Sequence, residues 1–455
     1  MKHVYSLSMY GIFLLVFAHE LTGFSNTCFT VLTALVMPVF LIASLSLSRG
    51  FQFYISLISL AAGHILILYY DLDFHLWHQS ITTGMAMPLL FVVIPLISFP
   101  ILNGPYLSSL EQLAAARKNH PGFMFLFLSV LYLMMAITLN IGVIPTIKKM
   151  VSGIRFPKQF LSLLYMTGSA SYMIFSPYDA VVILILIYTG LSYAQYFLTA
   201  SLMSLFIMGT ALIFLIINRS LKLSVKERLE QMESRPASLR PLFTLIAHIL
   251  VMILLACLGD RIFPFSSPVY GIALIILVYS LFWCATIGAW GRLTRFFRGY
   301  SENFTAYAGF LPFLISASFL GAVFSGTPLK AEFLELINTL HKLPLYLEVQ
   351  LLILLTVLLA LCGIHMLIPV TAMAMSLTPE MIGLTPPGFA LMLLTCWFNA
   401  MIISPFVPFV VVSADTLGVS PLNVSARYNF RFSLVMILFS PLAVTAVDRI
   451  NLLFQ

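Results

Sequence analysis

Charge is scarce in this 455-residue sequence: Lys, Arg, Asp and Glu together make up 9% of it. A water-soluble globule needs far more polar surface, so a soluble enzyme or binding domain is excluded. Cysteine is scarce too. The five (Cys28, Cys257, Cys284, Cys362 and Cys396) form no C-x-x-C pair and lie within or beside apolar segments. That leaves neither a zinc set nor a disulfide framework, and they read as small buried hydrophobes. No glycine-rich phosphate loop, zinc-ligand spacing or nucleophile elbow occurs. The usual motifs of nucleotide, metal and ester chemistry are therefore missing, and no cofactor or metal is expected. The net charge of +7 sits in short loops between apolar runs. There it sets membrane orientation and makes no nucleic-acid surface.

What is present is apolar length. Hydrophobic residues make up 61% of the chain, and the mean hydropathy is +1.03. An all-α polytopic protein of the lipid bilayer is expected. Runs of spanning character lie near 4–24, 28–48, 51–70, 81–102, 123–145, 159–177, 178–193 and 196–217. Others lie near 241–259, 268–290, 305–325, 347–369, 387–405, 406–422 and 428–447. Lys2 precedes the first run with no small-residue cleavage site after it, so that run reads as a membrane helix. Two mixed stretches, 105–120 (with Glu111, Arg117 and Lys118) and 326–346, correspond to each other, and the first reads as interfacial. The longest polar segment, 218–240, carries six basic residues (Arg219, Lys222, Lys226, Arg228, Arg235 and Arg240) against Glu227, Glu230 and Glu233. It divides the chain into halves.

The halves share a motif. Met173-Ile174-Phe175-Ser176-Pro177 returns as Met401-Ile402-Ile403-Ser404-Pro405, an offset of 228. The offset continues through Val182 and Val410, Gly190 and Gly418, Ser192 and Ser420. Seven of the 20 positions from 173 to 192 are identical, where biased composition gives roughly two. Proline removes a backbone donor and clashes with the preceding turn, so each copy predicts a helix broken inside the membrane. Paired interrupted helices in two halves point to a transport site.

The placement of positive charge orients the rest. If 123–145 and 347–369 are ordinary spans, Lys148, Lys149, Arg155 and Lys158 fall outside. If 123–158 and 347–384 are instead re-entrant hairpins, and 159–193 and 387–422 single broken crossings, 19 of the 23 Lys and Arg fall inside. Only Arg261, Lys330, Lys342 and Arg449 are then outside, which satisfies the positive-inside rule far better. The expectation is about 11 transmembrane helices in two inverted repeats. The N-terminus is cytoplasmic, and the site lies near the midplane. Segments 1–122 and 241–346 are scaffold helices. Segments 123–217 and 347–455 are the halves of a transport domain, and 218–240 is a cytoplasmic basic loop.

The predicted hairpin tips echo each other at an offset of 224: Asn140-Ile141-Gly142-Val143-Ile144-Pro145 and Ile364-His365-Met366-Leu367-Ile368-Pro369. Gly142 and Gly363 are expected to allow a tight turn and close approach to a ligand. A helix broken at Ser176-Pro177 or Ser404-Pro405 offers amides to an anion on one side and carbonyls to a cation on the other. Gly168, Ser169 and Ser171 before the first break, and Thr395 and Asn399 before the second, can hydrogen-bond either ligand. They can equally let helices pack closely. Asp179, just past the first break, costs roughly 2.5–3.5 kcal/mol at the bilayer centre. It reads as a sodium or proton site or as a cap on the restarting helix; Asp415 makes a weaker claim. His365 at the second tip can donate to an anion or titrate. His64 and His248, on scaffold helices, read as packing residues.

Hairpin, Ser-Pro break and closing helix, duplicated and inverted, resemble the ion transporter superfamily. That group includes divalent-anion/sodium symporters, citrate transporters and the large membrane subunit of tripartite periplasmic transporters. The stretch from Gly383-Leu384-Thr385-Pro386-Pro387 through Ser404-Pro405-Phe406-Val407-Pro408 to Gly418-Val419-Ser420 is similar to the C-terminal signature of the last two. The Ser-Asn-Thr tips of the divalent-anion symporters are absent; Asn140-Ile141-Gly142 and Gly363-Ile364-His365 stand there instead. The resemblance implies an elevator-type secondary transporter in a bacterial inner (plasma) membrane and a homodimer formed through the scaffold. The expected cargo is a small organic anion, a carboxylate, coupled to Na⁺ or H⁺. A subunit served by a soluble binding protein, an integral membrane enzyme and a non-transporting assembly factor stay open as alternatives.

Overall fold

In lipid, backbone polar groups are satisfied within helices, and every regular element among the described residues is a helix. The computed structural model describes residues 2–22, 26–84, 86–106, 121–154, 156–230, 238, 240–265, 268–298, 311–340 and 343–454. In the first half, the predicted hairpin comprises an outgoing arm, Pro121–Leu139, and a returning arm, Val143–Met150, joined by a short turn at Asn140–Gly142. A broken helix follows, with a near arm Lys158–Phe175 and a far arm Ala180–Thr189, and then a closing helix Tyr193–Ile217. The second half repeats the order. Its hairpin arms are Leu345–Leu361 and Leu367–Ser376, its near and far arms Pro386–Ile403 and Pro408–Leu417, and its closing helix Phe430–Phe454.

The contacts repeat when the halves are exchanged. Each near arm packs on the outgoing arm of its own hairpin and on its own closing helix. Each far arm crosses over and packs on the near arm and the returning hairpin arm of the other half. The two near arms meet, and so do the two closing helices. Polar ties cross the same boundary. Asn451 Nδ2 donates to Thr199 Oγ1 at 2.6 Å, Asn429 Nδ2 to Ser162 Oγ at 2.7 Å, and Lys158 Nζ to the Gly418 carbonyl at 3.2 Å.

Flanking helices support this core. Lys2–Thr22 packs on Asn26–Leu47 and on Ala86–Asn103, which in turn packs on Pro268–Thr286. Leu311–Ser325 lies between this group and the second hairpin, touching Gly50–Tyr69, Phe74–Thr83 and the returning arm. Small residues make its close approach possible. A Cβ on Gly63 would come within 2.5 Å of the Phe319 ring, and one on Gly321 within 2.6 Å of Thr371 Cγ2.

Among the described residues, eight helices are long and apolar enough to span a membrane, against about eleven expected for the chain, counting Lys158–Thr189 and Pro386–Leu417 across their breaks. The bent pair Leu311–Ser325 and Leu329–Glu335, meeting at 80°, would make nine. The run 81–102 is not one helix. The chain turns at Gly84, separating Phe74–Thr83, capped by Asp73 (Leu76 N to Oδ1, 2.8 Å), from Ala86–Asn103. The run 51–70 is one helix, Gly50–Tyr69, of 20 residues. The run 268–290 stops at Thr286. Gly288, at φ +63°, then turns the chain into the basic amphipathic helix Trp290–Arg298. The polar segment 218–240 begins with a helix, Arg219–Glu230. It has no Gly or Pro, and Asn218 Oδ1 accepts from Leu221 N at 3.1 Å. Residues 107–120, with Glu111, Arg117 and Lys118, and residues 231–237, with Glu233 and Arg235, lie outside the described residues.

Candidate functional site

Both breaks form where Ser-Pro predicts them, and with one geometry. The near arms end at Phe175 and Ile403; Ser176 (φ −73°, ψ 122°) and Ser404 (φ −80°, ψ 126°) leave the helix in the same extended conformation. That is the conformation a following proline imposes, here Pro177 and Pro405. Each serine then receives a backbone amide freed by the break. Ser176 Oγ accepts from Tyr178 N at 3.2 Å and Ser404 Oγ from Phe406 N at 3.5 Å.

The breaks differ beyond this. Asp179, 5% exposed, N-caps the first far arm, its Oδ1 accepting from Val181 N (2.9 Å) and Val182 N (3.4 Å). The cap reading of this residue is therefore the observed one, and the Tyr172 hydroxyl adjoins the same carboxylate. The second far arm starts at Val407-Pro408 without a side-chain cap. Its partial positive charge is not matched by a local carboxylate.

The second hairpin tip closes onto the second break. Ser404 Oγ donates to the Ala360 carbonyl at 3.3 Å. A small cavity of about 10 Å³, room for one water-sized body, is lined by Gly363, His365, Ser404 and Val407 among others. Gly363 makes the turn at φ +87°. His365 Nδ1 accepts from Leu367 N at 3.1 Å, which assigns the ring proton to Nε2. Its ring meets Phe313 and Trp397 edge-on, with centroids 4.1 and 5.4 Å away. At the first tip the turn is made by Asn140, at φ +49°, and not by Gly142, whose φ of −64° is helical. Asn140 tolerates this because its Oδ1 accepts from Ile141 N at 2.6 Å. Gly142 has open space where a Cβ would be.

Above the breaks, the near arms carry the remaining candidates. Ser169 is engaged in packing: its Oγ shares a hydrogen bond of 2.7 Å with the Tyr132 hydroxyl. A Cβ on Gly168 would meet the same ring at 2.3 Å. Asn399 Nδ2 donates to the Thr395 carbonyl and to Ser440 Oγ, both at 2.9 Å. His64 accepts from Trp77 Nε1 at 3.2 Å, and His248 pairs with the Tyr279 hydroxyl at 2.8 Å, both as packing residues.

No family model matches the chain, and no curated protein matches it in sequence. Among solved structures it is similar to the Alcanivorax borkumensis YdaH transporter, whose crystal structure is described as revealing an unusual topology. The TM-score is 0.57, over 86% of this chain and 96% of that one, at 13% identity. The chain has a membrane-transporter fold.

Within that fold, six buried polar atoms of the near arms have no hydrogen-bond partner: Tyr165 Oη, Thr167 Oγ1, Ser171 Oγ, Thr395 Oγ1, Trp397 Nε1 and Asn399 Oδ1. Four of them fall into pairs at the repeat offset. Thr167 and Thr395 are 228 residues apart, and so are Ser171 and Asn399. Buried polar atoms are normally satisfied. Orphans at equivalent positions of both repeats mark a shared feature of the fold. Thr167 is absent from the sequence-based candidates, although continuing the offset upstream of the Ser-Pro motif reaches it. Tyr193 was beyond such reasoning: its hydroxyl donates to the Phe175 carbonyl at 2.5 Å, satisfying a group the first break releases. The equivalent of Tyr193 in the second half is Pro421. Tyr193→Phe is expected to cost about 1 kcal/mol of stability, read as a lower thermal-unfolding midpoint; an unchanged midpoint would remove the bond from the account.

Proposed function

We propose that this protein is a secondary active transporter, not an enzyme, that moves a small organic carboxylate using a Na⁺ or H⁺ gradient. The observation that carries the reading is the pairing of orphaned polar atoms at the repeat offset beside two helix breaks. Three of the four paired atoms are hydroxyls that can donate to an anion. The second break, with no capping carboxylate and with the His365 Nε2–H nearby, suits the anion. The first break, where Asp179 is buried, suits the coupling cation or proton. The likeness to the YdaH transporter fold and the resemblance to the ion transporter superfamily support the same class. In this reading the hairpins, broken helices and closing helices move as one body against the flanking helices, as an elevator in an inner membrane. The flanking helices would pair in a homodimer.

The test is uptake by purified protein in proteoliposomes, offering labelled mono-, di- and tricarboxylates with an imposed Na⁺ gradient, H⁺ gradient or neither. Accumulation of one acid driven by one gradient is expected. Asp179→Asn should uncouple uptake from the gradient, whereas Ser404→Ala should raise KM for the acid. No accumulation of any acid by folded protein would overturn the proposal.

A further inference from the structure

A second polar cavity lies outside the two breaks. It has a volume of about 380 Å³ and is lined by Gln159, Phe214, Asn218, Arg427, Tyr428 and Arg431, with Ala426 and Phe430 beside them. Its charged groups are both cationic donors, and no acidic residue lines it among the described residues. Arg427 and Arg431 are exposed, and no ion pair or hydrogen bond engages either among the described residues. Asn218 uses its Oδ1 to cap Leu221, which leaves its NH₂ to donate.

The local fold builds the cavity. Asn423–Tyr428 forms a π-helical turn, a distortion that often accompanies function. Asn429 pins it: its Nδ2 donates to the Val424 carbonyl at 2.9 Å and to Ser162 Oγ of the other half at 2.7 Å. Gln159 is the second residue of the first near arm, and Arg431 is the second residue of the second closing helix. The amide ends of two long helices therefore add partial positive charge to that of the arginines.

Position identifies the anion. Three spanning segments end here: Lys158–Thr189, Tyr193–Ile217 and Phe430–Leu453. Helix ends of that kind lie at the boundary of hydrocarbon and water. Exposed apolar side chains surround the donors, with Ile217 73% and Phe430 43% exposed. A ligand that satisfies both parts carries a phosphate or similar anion on an apolar tail. We infer that this cavity is a binding site for the headgroup of an anionic phospholipid, held by Arg427 and Arg431 across the junction of the two halves.

The probe is short-chain phosphatidylglycerol, titrated onto the full-length protein in neutral detergent and read by native mass spectrometry. Phosphatidylcholine and inorganic phosphate serve as separate arms. One saturable phosphatidylglycerol is expected, with phosphatidylcholine and phosphate far weaker. Each surface arginine is worth about fivefold in affinity. Arg427→Ala with Arg431→Ala should therefore weaken binding roughly 25-fold, and the paired lysine variants should retain most of it. Both arginines are exposed, so the unfolding midpoint without lipid should not move. Equal phosphatidylglycerol binding by wild type and the double alanine variant would overturn the site. So would phosphatidylcholine binding as well as phosphatidylglycerol. Phosphate that binds alone as tightly as the lipid would identify a soluble-anion site and overturn the lipid assignment.

Discussion

Thr167→Val combined with Thr395→Val will make the protein more stable and a worse transporter. The two effects have one cause. Valine keeps the shape of threonine and removes a hydroxyl that is buried without a partner. Taking such a group out of an apolar surrounding removes a desolvation cost of about 1–3 kcal/mol. If the hydroxyls exist to receive a ligand, each loses a hydrogen bond to a charged group, about 1.5–3 kcal/mol. That is tenfold or more at each position, so uptake at low substrate should fall about a hundredfold in the double variant. The checks are the unfolding midpoint in detergent and the initial rate of uptake in proteoliposomes. Helix packing alone would give the first change without the second. Uptake at the wild-type rate would therefore remove these residues from the site.

Gly388→Ala will cost about 3 kcal/mol or more, a large effect for one methyl group. Gly388 lies in the first turn of the second near arm, and a Cβ there would stand 1.9 Å from Asp448 Oδ1 and 2.6 Å from its Cγ. The Asp448 carboxylate cannot swing aside cheaply. It is 4% exposed and accepts from Thr385 N at 3.0 Å and from the Thr385 hydroxyl. Thr385 in turn caps Gly388 N at 3.2 Å. The added methyl must either strain the core, about 1–3 kcal/mol, or break charge-assisted bonds worth about 1.5–3 kcal/mol each. A double-mutant cycle isolates the clash. Adding Gly388→Ala to Asp448→Ala should lower the unfolding midpoint little further, because the obstructing carboxylate is gone. Full additivity of the two losses would refute the contact.

Much of this core can be read from residue order because the Ser-Pro motif is repeated. Proline alone does not mark a break: Pro38, Pro95, Pro100 and Pro441 lie inside continuous helices. Pro177 and Pro405 end theirs, and the repeat is what singles them out. The hairpins follow less directly, from where Lys148, Lys149 and Lys158 can tolerate being. Side-chain partnerships are less legible. Ser169 looks like any ligand-binding serine until Tyr132, 37 residues away, is found on it. Tyr193 carries no signal in the sequence, and only the fold brings its hydroxyl to the Phe175 carbonyl. Apolar composition also conceals short turns, as at Gly84 and Gly288, because hydropathy is the same on both sides of them. At the first tip, glycine was the expected turn residue, yet Asn140 takes the left-handed conformation by bonding to the next amide.

The crossing of the far arms has a consequence for how the protein is made. Ala180–Thr189 is almost entirely apolar, and the surfaces that cover it from the other half are Leu367–Ser376 and Pro386–Ile403. These leave the ribosome nearly two hundred residues later, roughly 10–40 s at ordinary rates of synthesis. During that interval the faces those surfaces will cover depend on lipid or on the insertion machinery, while Lys158–Phe175 and Ala86–Asn103 are already available to the rest of the segment. The first half is thus inserted in the membrane well before it can be folded. A slow translocon or a scarce membrane chaperone should limit its yield more than any defect in the finished protein.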